Sequence, residues 1–257
     1  MKKLKILITN DDGYEAKGLR ALIDALFDIA ELTIVAPATE KSACAHSLTL
    51  TRPLRFIGVD DGFYKLDDGT PADCIYLALN SLFEGNKPDL VISGINRGSN
   101  MGEDITYSGT CAGAMEAVLH DVPAIAISQV VDFAVSNNDY TLAAKTIRSL
   151  VLKITHGDFP LPHREFLNVN IPSGVLEAKM VVTYAGYRFY ANDAHLHRNP
   201  RGEEYFWLGL HPLAFKPRAE KEGLCDYDAI ELGHISLTPI HLDLSAYHSM
   251  KRVQEWL

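Results

Sequence analysis

Two aspartates, Asp11 and Asp12, stand side by side in "ILITNDDGYEAKG" (6–18), after the apolar run Ile6-Leu7-Ile8 and before a glycine. Carboxylates this close repel, and one stays protonated unless a cation lies beside them. Hard oxygen ligands of this kind suit Mg²⁺, Mn²⁺ or Ca²⁺. One of the pair could instead cap the helix that follows, but a cap needs only one carboxylate. A second chemical stretch is "SGINRGSNMGEDITYSGT" (93–110), rich in Gly, Ser and Asn. Its glycines, Gly94, Gly98, Gly102 and Gly109, let backbone N–H groups turn toward an anion. Ser108, Gly109 and Thr110 stand at the start of a helical pattern, where free N–H groups and the helix dipole favour phosphate. Thr110 is alternatively an ordinary N-cap. Against that, a loop of about 16 residues without regular structure is uncommon unless it serves a function. Asn96 offers a neutral carbonyl oxygen to a metal, and Asn10 a further donor to a phosphate. The third polar stretch, "APATEKSACAHS" (36–47), holds Thr39, Ser42 and Ser47, which residue type alone does not separate. None of the ten histidines has a spacing that picks it out as a general acid.

These stretches need elements to hold them. Residues 4–9 read as a buried strand, and Leu19, Leu22, Ile23, Leu26 and Phe27 follow at helical spacing. Strands are expected at 32–37, 88–94, 123–128 and 166–172, and helices at 110–120 and 139–155. "TPADCIYLALNSLF" (70–83) reads as a helix with Thr70 as N-cap, Pro71 at the first position and Asp73 in the first turn. Residues 47–59 read as an edge strand or hairpin arm, with Pro53 keeping part of it out of a central position. Strands alternating with helices imply a mostly parallel sheet over about the first 155 residues. Ligands of such sheets sit outside the carboxyl ends of the strands. The three polar stretches therefore converge if their strands are neighbours.

Beyond about residue 155 the texture changes, starting with a loop over 156–164. Residues 179–190 and 204–210 read as long exposed strands crowded with Tyr184, Tyr187, Phe189, Tyr190, Tyr205, Phe206 and Trp207. A hairpin with such a face is expected to be covered by another subunit. Residues 227–244 read as a returning strand, and "AYHSMKRVQEWL" as a closing helix. The expected fold class is α/β, a Rossmann-like three-layer sandwich with a mostly parallel sheet, plus a C-terminal β-hairpin extension used in oligomerisation. The chain is expected to be one domain over 1–257, with its core in 1–175 and the extension in 176–257.

Composition narrows the function. The chain has 257 residues, 47% of them hydrophobic, and a net charge of −9, which argues against a partner of duplex nucleic acid. No stretch approaches the roughly 20 apolar residues of a membrane span, and the N-terminal apolar run is too short for a signal sequence. Four cysteines, at 44, 74, 111 and 225, form no CxxC pair and suit a reducing, cytoplasmic setting. There is no GxGxxG after the first strand, no GxxxxGK[ST] and no GxSxG. Phosphatases with an aspartyl nucleophile usually show DxD, and here the aspartates are adjacent. Zinc deacetylases that place adjacent aspartates here need a histidine where this chain has Asn10.

"TNDDGY", "IVAPATEKSACAHSLTL", "DDGTPADCIYLAL", "PDLVISGINRGSNMGEDITYSGTCAGAMEA", "PAIAIS" and "ISLTPIHLDLSAY" together resemble the survival protein SurE family, in order and over almost the whole chain. The resemblance implies a metal-dependent phosphohydrolase acting on nucleoside 5′-monophosphates, with 3′-monophosphates and polyphosphate as further candidates. It implies one divalent cation per subunit, Mg²⁺ or Mn²⁺, held by Asp11, Asp12, Ser42 and Asn96. Asp11 and Asp12 become the catalytic pair. The family's phosphate-holding block falls on Tyr107 to Thr110, so Ser108, Gly109 and Thr110, with Asn10 and Asn96 as further donors, form the expected phosphate-binding group. Water is the expected in-line nucleophile over an aspartate, because a carboxylate engaged by a metal attacks poorly. A homo-dimer or homo-tetramer is expected. Cys44 and His46 stand where many relatives carry small or polar residues. The competing function is a phosphate or nucleotide sensor on the same fold, without turnover.

Overall fold

The computed structural model describes residues 3–131, 139–190, 193–209, 212–218 and 222–257. The first half alternates strands with helices: β1 (Leu4–Thr9), α1 (Lys17–Leu26), β2 (Ala30–Pro37), β3 (Phe56–Asp60), β4 (Phe63–Leu66), α2 (Pro71–Leu77), β5 (Leu90–Arg97), α3 (Gly109–Leu119), β6 (Ala124–Gln129), α4 (Thr141–His156) and β7 (Glu165–Ile171). The remainder is mostly strands: β8 (Met180–Tyr184), β9 (Tyr187–Tyr190), β10 (Asp193–Arg198), β11 (Glu204–Gly209), β12 (Pro212–Lys216), β13 (Leu224–Cys225), α5 (Asp226–Glu231), β14 (Ile235–His241) and α6 (Tyr247–Trp256). Ten strands form one sheet in the order β13-β8-β14-β7-β6-β5-β1-β2-β4-β3. From β4 through β2, β1, β5 and β6 to β7 every pairing is parallel. The strand order reverses between β1 and β5, the position where sheets of this kind open a crevice.

Alternation along β1 explains the layers. Ile6 and Ile8 face one side and pack with Leu19, Leu22 and Ile147 of α1 and α4. Leu7 faces the other and packs with Cys74, Ile75, Cys111 and Ala114 of α2 and α3. All of these side chains are fully buried, so a polar substitution at any of the leucines or isoleucines would lose apolar burial worth roughly 1.5–3 kcal/mol. α2 begins as expected: Thr70 accepts the Asp73 N–H, and Asp73 accepts the Thr70 N–H in return. α3 lies unusually close to the sheet. A Cβ on Gly113 would stand 2.8 Å from Thr9 Cγ2 and 2.9 Å from Ser93 Oγ.

Several expectations need correction. The 47–59 stretch is strand only from Phe56 to Asp60, paired antiparallel to β4 at the sheet edge. The long loop expected after residue 93 is shorter, because β5 continues to Arg97 beside β6 and residues 102–106 form a 3₁₀ turn. Among the described residues, 179–190 and 204–209 do not pair with each other. β8 joins the main sheet through β14, β9 pairs with β12, and β10 pairs with β11. The 227–244 stretch opens as α5, because Cys225 Sγ and the acidic residues Asp226 and Asp228 favour a helix start there. Among the described residues no helix is long and apolar enough to cross a membrane.

Gly94 has φ +141°, and a Cβ there would stand 2.3 Å from the Ile127 carbonyl oxygen. Gly94→Ala should lower unfolding free energy in urea by about 2–3 kcal/mol, whereas Gly58→Ala, with no atom within 4 Å, should stay within roughly 0.5 kcal/mol of the parent.

Candidate functional site

β1 lies between β5 and β2, so the three polar stretches leave the same sheet edge side by side. Backbone hydrogen bonds then tie them together. Lys41 N–H donates to the Asp11 carbonyl at 2.7 Å, and Ala45 N–H to the Tyr107 carbonyl at 3.0 Å. The expected convergence is present.

Asp11 is 4% exposed. Thr110 meets both of its oxygens: the hydroxyl donates to Oδ1 at 2.5 Å and the N–H to Oδ2 at 3.1 Å. Only glycine at 109 permits this approach. A Cβ there would stand 2.8 Å from Asp11 Cβ and 2.9 Å from Cys44 Sγ. Burial pushes the Asp11 carboxyl up to about 6, with the Asp12 charge adding to it and the Thr110 bonds opposing it. Asp12 Oδ2 accepts the Arg97 N–H at 2.9 Å. Its carboxyl is also raised, by burial first and by the nearby Glu40 charge, while the Arg97 N–H and guanidinium pull the other way. The helix cap falls on Ser108, whose Oγ accepts the Cys111 N–H at 2.9 Å, and Thr110 sits inside the helix. Neither aspartate caps α1, whose N-cap is Ala16.

Asn10 is fully buried. Its Nδ2 donates to the Gly13 carbonyl at 2.9 Å, and its Oδ1 meets no donor among the described residues. Asn96 Nδ2 donates to the Gly98 carbonyl at 3.0 Å, which fixes the plane of the amide. Ser42 is exposed, and its hydroxyl donates to Glu40 Oε1 at 2.7 Å. The structure thus brings Asp11, Gly109 and Thr110 into direct contact and places Asp12 against β5. Ser42 rides on the loop pinned to Asp11 without touching the aspartates through any hydrogen bond seen here. The set is all oxygen: two carboxylates, an amide and a hydroxyl. It fits a hard divalent cation, whose positive charge would offset the burial that raises both carboxyls. Among the described residues no cluster of three His, Cys, Asp or Glu offers a rival site.

Sequence reasoning missed the supports beneath these loops. Asn100 sits in a buried amide network: its N–H donates to Asn170 Oδ1, its Nδ2 to Ser128 Oγ, and its carbonyl accepts from Asn168 and Asn170. Two asparagines spaced by two in "FLNVNIP" were the available signal, since alternate residues of a buried strand share a face. Further on, Asp226 accepts N–H bonds from Gly102 (2.8 Å), Gly186 (2.9 Å) and Tyr227 (3.0 Å). Tyr227 donates its hydroxyl to the Met101 carbonyl. Arg188 pairs with Asp104 at 2.6 Å. The C-terminal part therefore clamps the turn that leads into Ser108. No local motif announces such contacts, because they join residues far apart in the chain.

Comparison with known proteins places the whole chain in one family. The family model described as survival protein SurE matches residues 6–192. A relative from Sulfurimonas denitrificans, named 5′-nucleotidase SurE, is 68% identical over 262 residues, covering 99% of each chain. One of the same name from Nitratiruptor sp. is 57% identical over 98% of this chain and 99% of its own. The crystal structure of the Sure protein from Aquifex aeolicus superposes with a TM-score of 0.81 at 39% identity, over 98% of this chain and 99% of that one.

Thr110→Val keeps the shape of the side chain and removes the hydroxyl that Asp11 accepts. It should cost about 1.5–3 kcal/mol in chemical unfolding near neutral pH, the range for a buried hydrogen bond to a charged group. A stability equal to the parent's would show that Asp11 does not depend on Thr110.

Proposed function

We infer that this chain, which belongs to the survival protein SurE family, is a 5′-nucleotidase that hydrolyses nucleoside 5′-monophosphates. The observation that carries the reading is the adjacent Asp11–Asp12 pair, with Asp11 buried and bonded to Thr110 at the N-terminus of α3 and the half-buried Asp12 held by the Arg97 N–H. Asp11, Asp12, Ser42 and Asn96 would hold one divalent cation, Mg²⁺ or Mn²⁺. Ser42 would do so by turning its hydroxyl away from Glu40. When bound, the cation supplies a Lewis acid and local positive charge next to the phosphoryl group.

The chain's own residues do the rest. Thr110 spends its N–H and hydroxyl on Asp11, so the Gly109 N–H and the Ser108 hydroxyl proton are the groups left to donate to phosphoryl oxygens. They sit at the positive end of α3, where an anion is favoured. Asn10, wholly buried, shapes the Asp11 turn through Gly13. Phosphoryl transfer asks the protein mainly for positioning and charge. Both carboxylates are already engaged, Asp11 by Thr110 and Asp12 by the Arg97 amide, which favours water as the nucleophile over an aspartyl attack. 3′-Monophosphates and polyphosphate are further candidate substrates.

The protein is further read as one functional unit over 1–257, since β8 and β14 of the 176–257 part extend the sheet of the 1–175 core. Leu196, Phe206, Trp207 and Leu208 on the β10–β11 hairpin are all half-exposed or more, and α6 buries no residue. A second copy covering these faces gives a homo-dimer, or a homo-tetramer if both faces are used. The four free cysteines fit a cytoplasmic setting.

Phosphate release from AMP should require added Mn²⁺ or Mg²⁺ and vanish with EDTA; equal rates with and without chelator would overturn the metal assignment. Asp11→Asn should lower the rate by about a hundredfold or more while leaving the fold intact. AMP bound tightly with no turnover would favour the sensor instead. In light scattering, Trp207→Glu should shift the protein toward smaller species, and an unchanged mass would remove the hairpin from the interface.

A further inference from the structure

His46 is the one histidine, of ten in the chain, on the three loops that meet at Asp11. Its Nε2 lies 2.6 Å from Glu116 Oε2. Glu116 is 4% exposed on α3, and its other oxygen takes His120 Nε2 at 3.1 Å. His120 in turn packs edge-on against Tyr76, with ring centres 5.4 Å apart. A buried carboxylate behind an imidazole fixes the ring's orientation, which is how proton-transferring histidines are held.

Glu116 lies about two turns along α3 from Gly109, and the backbone ties the loop next to His46 to the residues just before the phosphate end of that helix. Ala45, the neighbour of His46, donates its N–H to the carbonyl of Tyr107, one residue before Ser108. Cys44 Sγ stands against Gly109 on the same loop. The His46 side chain is 28% exposed, so the ring is both anchored and reachable from solvent. Lys41, the other cationic side chain of that loop, is committed to Asp68 at 2.7 Å.

We propose that His46, oriented by Glu116, donates the proton that the sugar oxygen needs as it leaves phosphorus. The assignment rests on the nucleotidase reading and adds its general acid. Water's oxygen bonds to phosphorus while the bond from phosphorus to the sugar oxygen breaks. The electron pair of that bond stays on the sugar oxygen, which takes a proton from protonated His46. The attacking water releases one proton, His46 regains one from solvent, and inorganic phosphate and nucleoside result. Glu116 is a positioning residue, acting only through His46.

The test compares leaving groups. AMP needs a proton on its departing oxygen; p-nitrophenyl phosphate does not, because nitrophenolate is a stable anion. With the full-length protein and Mn²⁺, His46→Gln should lower kcat on AMP by about a hundredfold and leave p-nitrophenyl phosphate within roughly threefold. Glu116→Gln should show the same selectivity at about tenfold, and it decides the matter if His46→Gln does not fold by circular dichroism. Equal losses on both esters would overturn the proposal and leave His46 as a clamp between its loop and α3. Full AMP activity in His46→Gln would overturn it as well. A wild-type protein inert toward both esters would sink the nucleotidase reading, and the assignment with it.

Discussion

Burying Asp11 beside the half-buried Asp12 at the end of a central strand carries a desolvation cost of several kcal/mol for the buried charge. The rest of the structure is arranged around that cost. Hydrogen bonds to charged groups return about 1.5–3 kcal/mol each. Asp11 receives two from Thr110, and Asp12 receives one from the Arg97 N–H. They do not close the balance, since burial and the neighbouring charge still hold Asp11 at about 6. A divalent cation held as proposed by this set of oxygen donors would supply the missing compensation.

Delivering those partners constrains residues far from the aspartates. α3 must come close enough for Thr110 to reach Asp11, which requires glycine at 109 against Asp11 and at 113 against Thr9 and Ser93. The turn before α3 must hold its place, which the Asn100 network secures from below and Asp226, Tyr227 and Arg188 secure from the side. Residues of the C-terminal part thus reach the active edge of the sheet through Met101, Gly102 and Asp104.

Much of this was legible in the sequence. Strand and helix periodicity found β1, α1, β2, β5, α3, β6, α4 and β7. The Thr70-Pro71-Asp73 signature found the start of α2, because caps and first turns are local. Asp11 and Asp12 announced themselves by adjacency. What was not legible depends on tertiary neighbours. β5 runs on to Arg97 because β6 lies alongside it, so the loop after residue 93 looked longer than it is. Ser108 rather than Thr110 caps α3, since Thr110 is drawn to Asp11 from another strand's end. Residues 226–231 share apolar spacing with a strand and become helix through contacts made by Asp226. Ser42 came from family resemblance alone, and its hydroxyl faces Glu40 here.

One measurement bears most directly on the cation at the centre of this account. Anomalous diffraction from a crystal soaked in Mn²⁺ should show a single strong peak at coordination distance from the carboxylates of Asp11 and Asp12, with Asn96 on its border and the start of α3 facing it. A peak elsewhere, or none beside the two aspartates under conditions where AMP is turned over, would contradict it.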